Sequence, residues 1–374
     1  MQHALRGLVL CSLCFVPAAA ALSPARAAAD AVLQNLHKHQ LLASTVPANG
    51  DLNPYAIVVA PVSAGTVKAG DVLVDNFNAR SNFQGTGTTI MDYDPSTRAA
   101  RLFAAIPPKL AGCPGGVGLT AAMAMLRSGW IIVGSAPSTD GTTKTLGKGC
   151  LIVLDPNGRV AGTIANADID DPWGNMAVVD RGSSATLFVS NIGFGIGAPG
   201  QPPVKQATVL RLELAIPEGK PPAVKSSTVI GSGFESQADA NAFLVGPTGL
   251  VLGRDDTLYV SDAIGNRIVA IDHAGTRTDS AGTGRVVTEG GLLKRPLAMV
   301  RAENGDLLVT NALNGQVVEI DPATGTQRGA MWIDADEAQS PPGNGDLFGI
   351  AMAQDGKGFY YVEDDNNTLM EARQ

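Results

Sequence analysis

The sequence predicts an all-β fold, a six-bladed β-propeller made of four-stranded antiparallel blades and closed by an N-terminal strand. Three observations carry this. A unit of short strands and tight turns between Gly246 and Asp272 is repeated from Arg295, and comparable units fill nearly all of the chain. The composition, with 44 Gly, 23 Pro and 45% hydrophobic residues among 374, describes a turn-rich globular protein with a large core. Within the first unit, Leu250–Leu252 form an apolar run and Arg254-Asp255-Asp256 turn the chain. Leu258-Tyr259-Val260 run back, Gly265-Asn266 turn again, and Ile268–Ile271 give a third strand, completing a β-meander. The second unit has Pro296 for Pro247, Asn304-Gly305 at its first turn, Asn311 for Asp262 and Ile320-Asp321 for Ile271-Asp272.

In chain order, residues 1–29 read as a secretory signal peptide. Arg6 precedes an apolar run from Leu8 to Val16, and Ala25-Arg26-Ala27 offers an A-x-A cleavage pattern. The apolar run is too short for a membrane span. Residues 30–374 then form a single domain. Asp30–Gln40 suits one or two helical turns capped by Asp30, and residues 41–46 form a strand without a neighbouring partner, which is assigned to closing the ring.

The blades are placed at approximately 50–110, 111–166, 167–231, 243–290, 291–334 and 343–374. Polar markers at the end of each second strand fall at Asp75, Ser135, Asn191, Asp262, Asn311 and Asp364, spaced by 60, 56, 71, 49 and 53 residues. Two loops are outsized, 76–87 and 193–203. A radial arrangement hides the strand edges that an open sheet would expose.

The order Pro-x-Gly, apolar strand, Asp/Asn-Gly turn, Leu-Tyr-Val-x-Asp, Asn-Arg-Ile and apolar-Ile-Asp resembles the NHL repeat of six-bladed propellers, most fully over residues 246–272. The resemblance implies an exported bacterial propeller. It implies a fold more than a function, since this scaffold hosts binding proteins as well as lactonases and lyases.

Loss of the signal removes Arg6 and Arg26 and no acid, leaving 25 basic against 35 acidic residues and a net charge of −10. A negative surface disfavours nucleic acid and anionic membranes as partners. A periplasmic or secreted location, a monomeric state, and a small molecule or another envelope or extracellular protein as partner are expected. Cys113 and Cys150 remain, and in an exported protein the pair reads as a disulfide, contributing about 3–4 kcal/mol through loop closure. Two buried free thiols are the alternative.

Gluconolactonase-like and paraoxonase-like propellers place Glu, Asn and Asp at the start of the inner strands to hold a divalent cation. The corresponding positions here are Asn53-Pro-Tyr55, Val117-Gly118, Trp173-Gly174-Asn175, Pro247-Thr248, Pro296-Leu297 and Leu347-Phe348, with no carboxylate among them. No cofactor is therefore expected, with Ca²⁺ as the ion that the acidic runs 168–171 or 363–367 would take. The histidines left after cleavage, His37, His39 and His273, fall outside the inner strands, which weakens histidine-dependent catalysis.

The residues that remain form a rim of candidate ligand contacts: Asn53, Tyr55, Trp173, Asn175, Asn191, Asp262, Asn311, Phe348 and Asp364. The opposing reading makes the aromatics a core plug and the Asn/Asp residues partners for backbone. No catalytic residue is assigned. The function expected is a ligand- or protein-binding module; the alternative is a metal-dependent lactonase or lyase, in which Asn53, Asn175, Asp262 and Asn311 would converge on one cation.

Overall fold

The computed structural model describes residues 31–374, together with Met1, so the expected signal peptide and Asp30 lie outside the described residues. Six antiparallel sheets follow one another along the chain. The first blade comprises β2 (Leu52–Val59), β3 (Val72–Asn78), β4 (Thr89–Asp94) and β5 (Ala99–Ala105), after an N-terminal strand β1 (Lys38–Ser44). The second comprises β6 (Leu119–Met125), β7 (Ile131–Ser135), β8 (Cys150–Leu154) and β9 (Val160–Ile164). The third has β10 (Ala177–Asp180), β11 (Ser184–Asn191), β12 (Val204–Ala215), the long β13 (Ala223–Asp239) and a short extra strand β14 (Phe243–Val245). The fourth has β15 (Pro247–Leu252), β16 (Leu258–Asp262), β17 (Arg267–Ile271) and β18 (Arg285–Glu289). The fifth has β19 (Pro296–Arg301), β20 (Leu307–Asn311), β21 (Gln316–Asp321) and β22 (Thr326–Trp332). The sixth contributes β23 (Leu347–Met352), β24 (Gly358–Glu363) and β25 (Thr368–Arg373).

The ring closes by pairing the two ends of the propeller. β1 lies antiparallel to β25, from Lys38 opposite Arg373 to Ser44 opposite Thr368, and supplies the outer strand of the sixth blade. The closing strand therefore runs over Lys38–Ser44, not 41–46. The helical segment before it is a single 3₁₀ turn, Leu33–Asn35, with no side-chain cap. Glu319 of the fifth blade fixes this turn by accepting hydrogen bonds from the Val32 and Leu33 amides at 2.8 and 2.9 Å, and Leu33 and Leu36 are buried.

Inner strands stand against one another around the axis: β2 on β6, β15 on β19, β19 on β23, and β23 on β2. The Pro-x-Gly motif explains how they come so close. A Cβ on Gly174 would lie 1.4 Å from the Thr248 carbonyl oxygen; on Gly249, 2.5 Å from that of Leu297; on Gly349, 2.5 Å from that of Tyr55. Each glycine is the place where one blade's backbone touches the next. In blades one and five the position holds the next smallest residue, Ala56 and Ala298.

A hydroxyl relay runs beside these glycines. Ser261 Oγ accepts from Gly249 N at 2.6 Å and donates to Leu297 O at 2.5 Å, joining blade four to blade five. Ser190 does the same between Gly174 N and Thr248 O, at 3.2 and 3.4 Å, and Thr310 donates to Phe348 O at 3.0 Å. The repeated sequence thus encodes inter-blade stitching, and a buried donor that found no acceptor here would cost about 1–3 kcal/mol.

The same register corrects two of the repeat markers. Pro247 pairs with Asp262, Pro296 with Asn311, Pro54 with Asn76 and Leu347 with Glu363. The equivalent positions in blades one and six are therefore Asn76 and Glu363, each one residue away from Asp75 and Asp364. Cys113 and Cys150 form the disulfide, with a Cα–Cα distance of 5.4 Å, tying the connection before β6 to the start of β8.

Candidate functional site

The channel is closed on its axis by aromatic rings. Tyr55 of β2 stacks on Phe348 of β23 at 3.7 Å between centroids and on Phe77 of β3 at 4.5 Å. Trp173 meets Tyr55 and Phe77 edge-on at 5.9 and 5.4 Å, and Phe243 of β14 closes the group against Phe77 at 5.4 Å. All five are buried, so they contribute both area and oriented ring contacts to the core. Phe243 arrives with φ +61, an uncommon conformation outside glycine, at the end of the β13–β14 hairpin. Lower in the channel Asn175 crosses from blade three, donating to Leu250 O and Met299 O at 2.9 and 3.2 Å and accepting from Met299 N at 3.1 Å.

Above the aromatic floor opens a cavity of about 310 Å³. Tyr55, Phe348 and Leu297 form its apolar base, while Asp239, Arg295 and Asp364 supply its ionisable groups. Arg295 Nη1 holds Asp239 Oδ2 at 3.2 Å, joining the hairpin tip to the start of blade five. A second hollow of about 470 Å³ on the same face is bordered by Asn53, Asn78, Asn82 and Asp140. Asn241 and Asp364 line both hollows. Gln84 Nε2 donates to Asn241 O at 2.7 Å, so the long loop 76–87 meets the hairpin tip between them. That loop belongs to the channel mouth, and Ile196 of the loop 193–203 packs against the same central apolar cluster.

Burial and neighbouring carboxylates raise the pKa of several carboxyl groups on this face. Burial, then the neighbouring Asp346 and Asp365 carboxylates, push Asp364 well above the ordinary carboxylate range. Burial and the Asp334 carboxylate raise Glu363 to about 7, and burial with Asp365 and Asp334 raises Asp346 to about 7. Tyr55 is pushed well above its usual value by burial and then by Asp364. Asp334, Asp346 and Asp365 each bring a carboxylate oxygen within 4.8 Å of the others and are the group among the described residues suited to a metal.

The nine candidate contacts separate into different places. Tyr55, Phe348 and Asp364 meet at the cavity, whereas Trp173 lies wholly buried behind them. Asn53 borders the second hollow, and its backbone N donates to Asn367 Oδ1 at 2.7 Å. Asn175 is the crossing bolt described above. Asn191 accepts from Asp170 N at 3.3 Å, Asp262 binds Arg267 at 2.8 Å, and Asn311 spans Lys294 N and Leu292 O at 2.9 and 3.0 Å. Asn53, Asn175, Asp262 and Asn311 are thus engaged separately and do not converge on one point. His39 lies on β1 with Nδ1 3.3 Å from the Tyr361 hydroxyl, away from the channel.

Sequence reasoning missed Asp239 and Asn241, because it ended the third blade at 231 and left 232–242 unassigned, and it read Arg295 only as the start of a repeat unit. The alternation Phe234, Ser236, Ala238 against Glu235, Gln237, Asp239 was the available signal: the first three are buried and the others only partly so.

No family model and no curated protein matches the chain. Solved structures do share its shape. A gluconolactonase from Xanthomonas campestris superposes with a TM-score of 0.56 at 13% identity, covering 91% of this chain and 90% of that one. Regucalcin, a calcium-binding protein from Agrobacterium tumefaciens, gives 0.52 at 11%, covering 90% and 92%. A luciferin-regenerating enzyme gives 0.54 at 11%, covering 90% and 95%. At such identities the likeness establishes the six-bladed propeller and nothing finer.

Proposed function

We propose that the chain is an exported small-molecule enzyme of hydrolase or lyase type, working at the mouth of the propeller channel. The observation that carries this reading is the position of Asp364: a carboxyl on the wall shared by both hollows, in the cavity whose base is Tyr55, Phe348 and Leu297. Clefts that combine an apolar base with a few convergent polar groups are the usual setting of a reaction site. The shared fold with a gluconolactonase and a luciferin-regenerating enzyme supports the reading, as does the placement of loop 76–87 over the mouth, where it shapes a pocket for a small ligand.

For a lactone or ester the roles follow from the geometry. Tyr55, Phe348 and Leu297 would seat the apolar part, and Arg295, held at the cavity wall by Asp239, is the cation that would face the carbonyl oxygen. Asp364 gives its proton to the departing alkoxide as water adds to the carbonyl and the C–O bond breaks, and the proton shed by the added water returns to the Asp364 carboxylate, leaving an acid and an alcohol. The disulfide supports an oxidising compartment. Nothing in this scheme places a metal on the channel axis, because aromatic rings occupy it.

A binding module for the same class of molecule is the second reading, favoured by the largely apolar base of the cavity, which holds a ligand by burial without turnover. Product formation on a panel of lactones and esters separates the two. In the enzyme, Asp364→Asn should lower kcat about 10²–10⁴-fold, the usual worth of a general acid, with the melting temperature kept. Ligand binding without product in the wild type overturns the enzyme reading.

A further inference from the structure

We propose that Asp334, Asp346 and Asp365 form a Ca²⁺ site at the junction of blades five and six, off the channel axis. The three come from separate segments. Asp334 follows β22, Asp346 directly precedes β23, and Asp365 sits in the turn between β24 and β25. One carboxylate oxygen of each lies within 4.8 Å of the others. Oxygens sharing one Ca²⁺ at 2.3–2.6 Å are separated by at most about 5 Å, so the spacing fits a single ion.

An acidic cluster alone would be unremarkable on an acidic protein. Two further observations point to a ligand. Asp334 and Asp346 are only 6% and 4% exposed, and the Oδ2 atom of each is buried without a hydrogen-bond partner. Asp334 Oδ1 is occupied by Asp336 N at 3.0 Å, which orients the carboxylate and leaves Oδ2 free. Gln339 Oε1, from the connection between β22 and β23, is likewise buried and unpartnered. No ion pair among the described residues reaches any of the three carboxylates. Buried anions without counter-charge are strongly unfavourable, and a divalent cation supplies what no side chain does. The donors are all hard oxygens, with neither His nor Cys among them, which selects Ca²⁺ over zinc or copper.

The site would do more than neutralise charge. It clamps the 333–346 connection to the 364–367 turn, and both border the cavity through Asn344, Gly345 and Asp364. The ion therefore fixes one wall of the proposed reaction pocket while standing outside it.

The test is Ca²⁺ titration of the full chelator-stripped protein by calorimetry, with Tb³⁺ luminescence as a second readout and thermal melting in chelator and in Ca²⁺. One ion per chain, a higher melting temperature with Ca²⁺ and slower proteolysis between residues 333 and 346 are expected. Asp346→Asn should weaken binding at least tenfold, and the exposed Asp365→Asn, which leaves the buried pair intact for folding, should weaken it measurably. Asp168→Asn, in the other acidic run, should leave it unchanged. Wild-type protein that shows no heat, no luminescence and equal melting in both buffers overturns the site; so does unaltered affinity in Asp365→Asn. Neither result depends on turnover, so this proposal and the enzymatic one fail separately.

Discussion

Asp75, a repeat marker in the sequence, lies one residue before the equivalent position and bonds backbone instead. It occupies the position that Ser261 and Thr310 hold in blades four and five, where the Ser261 hydroxyl accepts from Gly249 N and donates to Leu297 O, and the Thr310 hydroxyl donates to Phe348 O. Its Oδ1 accepts from Ala56 N at 2.8 Å, while Oδ2 is buried without a partner. Burial raises its pKa to about 8, against hydrogen bonds from Ala56 and Tyr55 that lower it. A neutral carboxyl carries the donor that serine would have supplied. A carboxyl raised by folding keeps a proton that the unfolded chain has already released. Its stabilisation is complete below the unfolded value near 4 and is lost as pH rises through about 8. Melting temperature should accordingly fall between pH 4 and 8, and Asp75→Asn, which provides a permanent amide donor, should flatten part of that slope. An unchanged slope in scanning calorimetry would remove Asp75 from the account.

At the level of elements, the inner strands depend on contacts that span blades. Asn175 makes three hydrogen bonds to the backbone of β15 and β19. Its replacement by Ala strands two carbonyls and an amide in the channel, and urea unfolding should report a loss of about 2–4 kcal/mol. The hairpin β13–β14 has a different task. It breaks the four-strand pattern by bending over the mouth, where Phe243 completes the aromatic floor and Asp239 meets Arg295. This departure from the repeat is what builds the cavity, and a strict fourfold blade would have left the channel mouth bare.

For the molecule as a whole, closure is the decisive interaction, because β25 of the last blade is covered only while the two ends of the propeller are paired. β1 covers β25, and Glu319 and the buried Leu33 and Leu36 anchor the segment before it to blade five. Deleting residues 31–44 should expose the β25 edge and abolish cooperative unfolding, with aggregation seen by light scattering. A truncated protein that still melts in one sharp transition would show that the remaining blades hold the ring by themselves.

The sequence by itself determined the propeller and the blade count and pointed to closure by an N-terminal strand and to the disulfide, since these follow from period, strand patterning and cysteine arithmetic, each a local or periodic signal. It also marked Tyr55, Phe348 and Asp364, three residues that meet at the cavity. It could not sort Asn191, Asp262 and Asn311 from them, because a polar residue at a strand end reads alike whether it faces a ligand or caps its own turn. Only the tertiary structure decided that the aromatics fill the axis, that a hairpin crosses the mouth, and that Asp334, Asp346 and Asp365 meet across the junction of two blades. Those carboxylates are up to 31 residues apart in the chain. Their proximity is set by how blade five docks on blade six, which no pattern within either blade encodes.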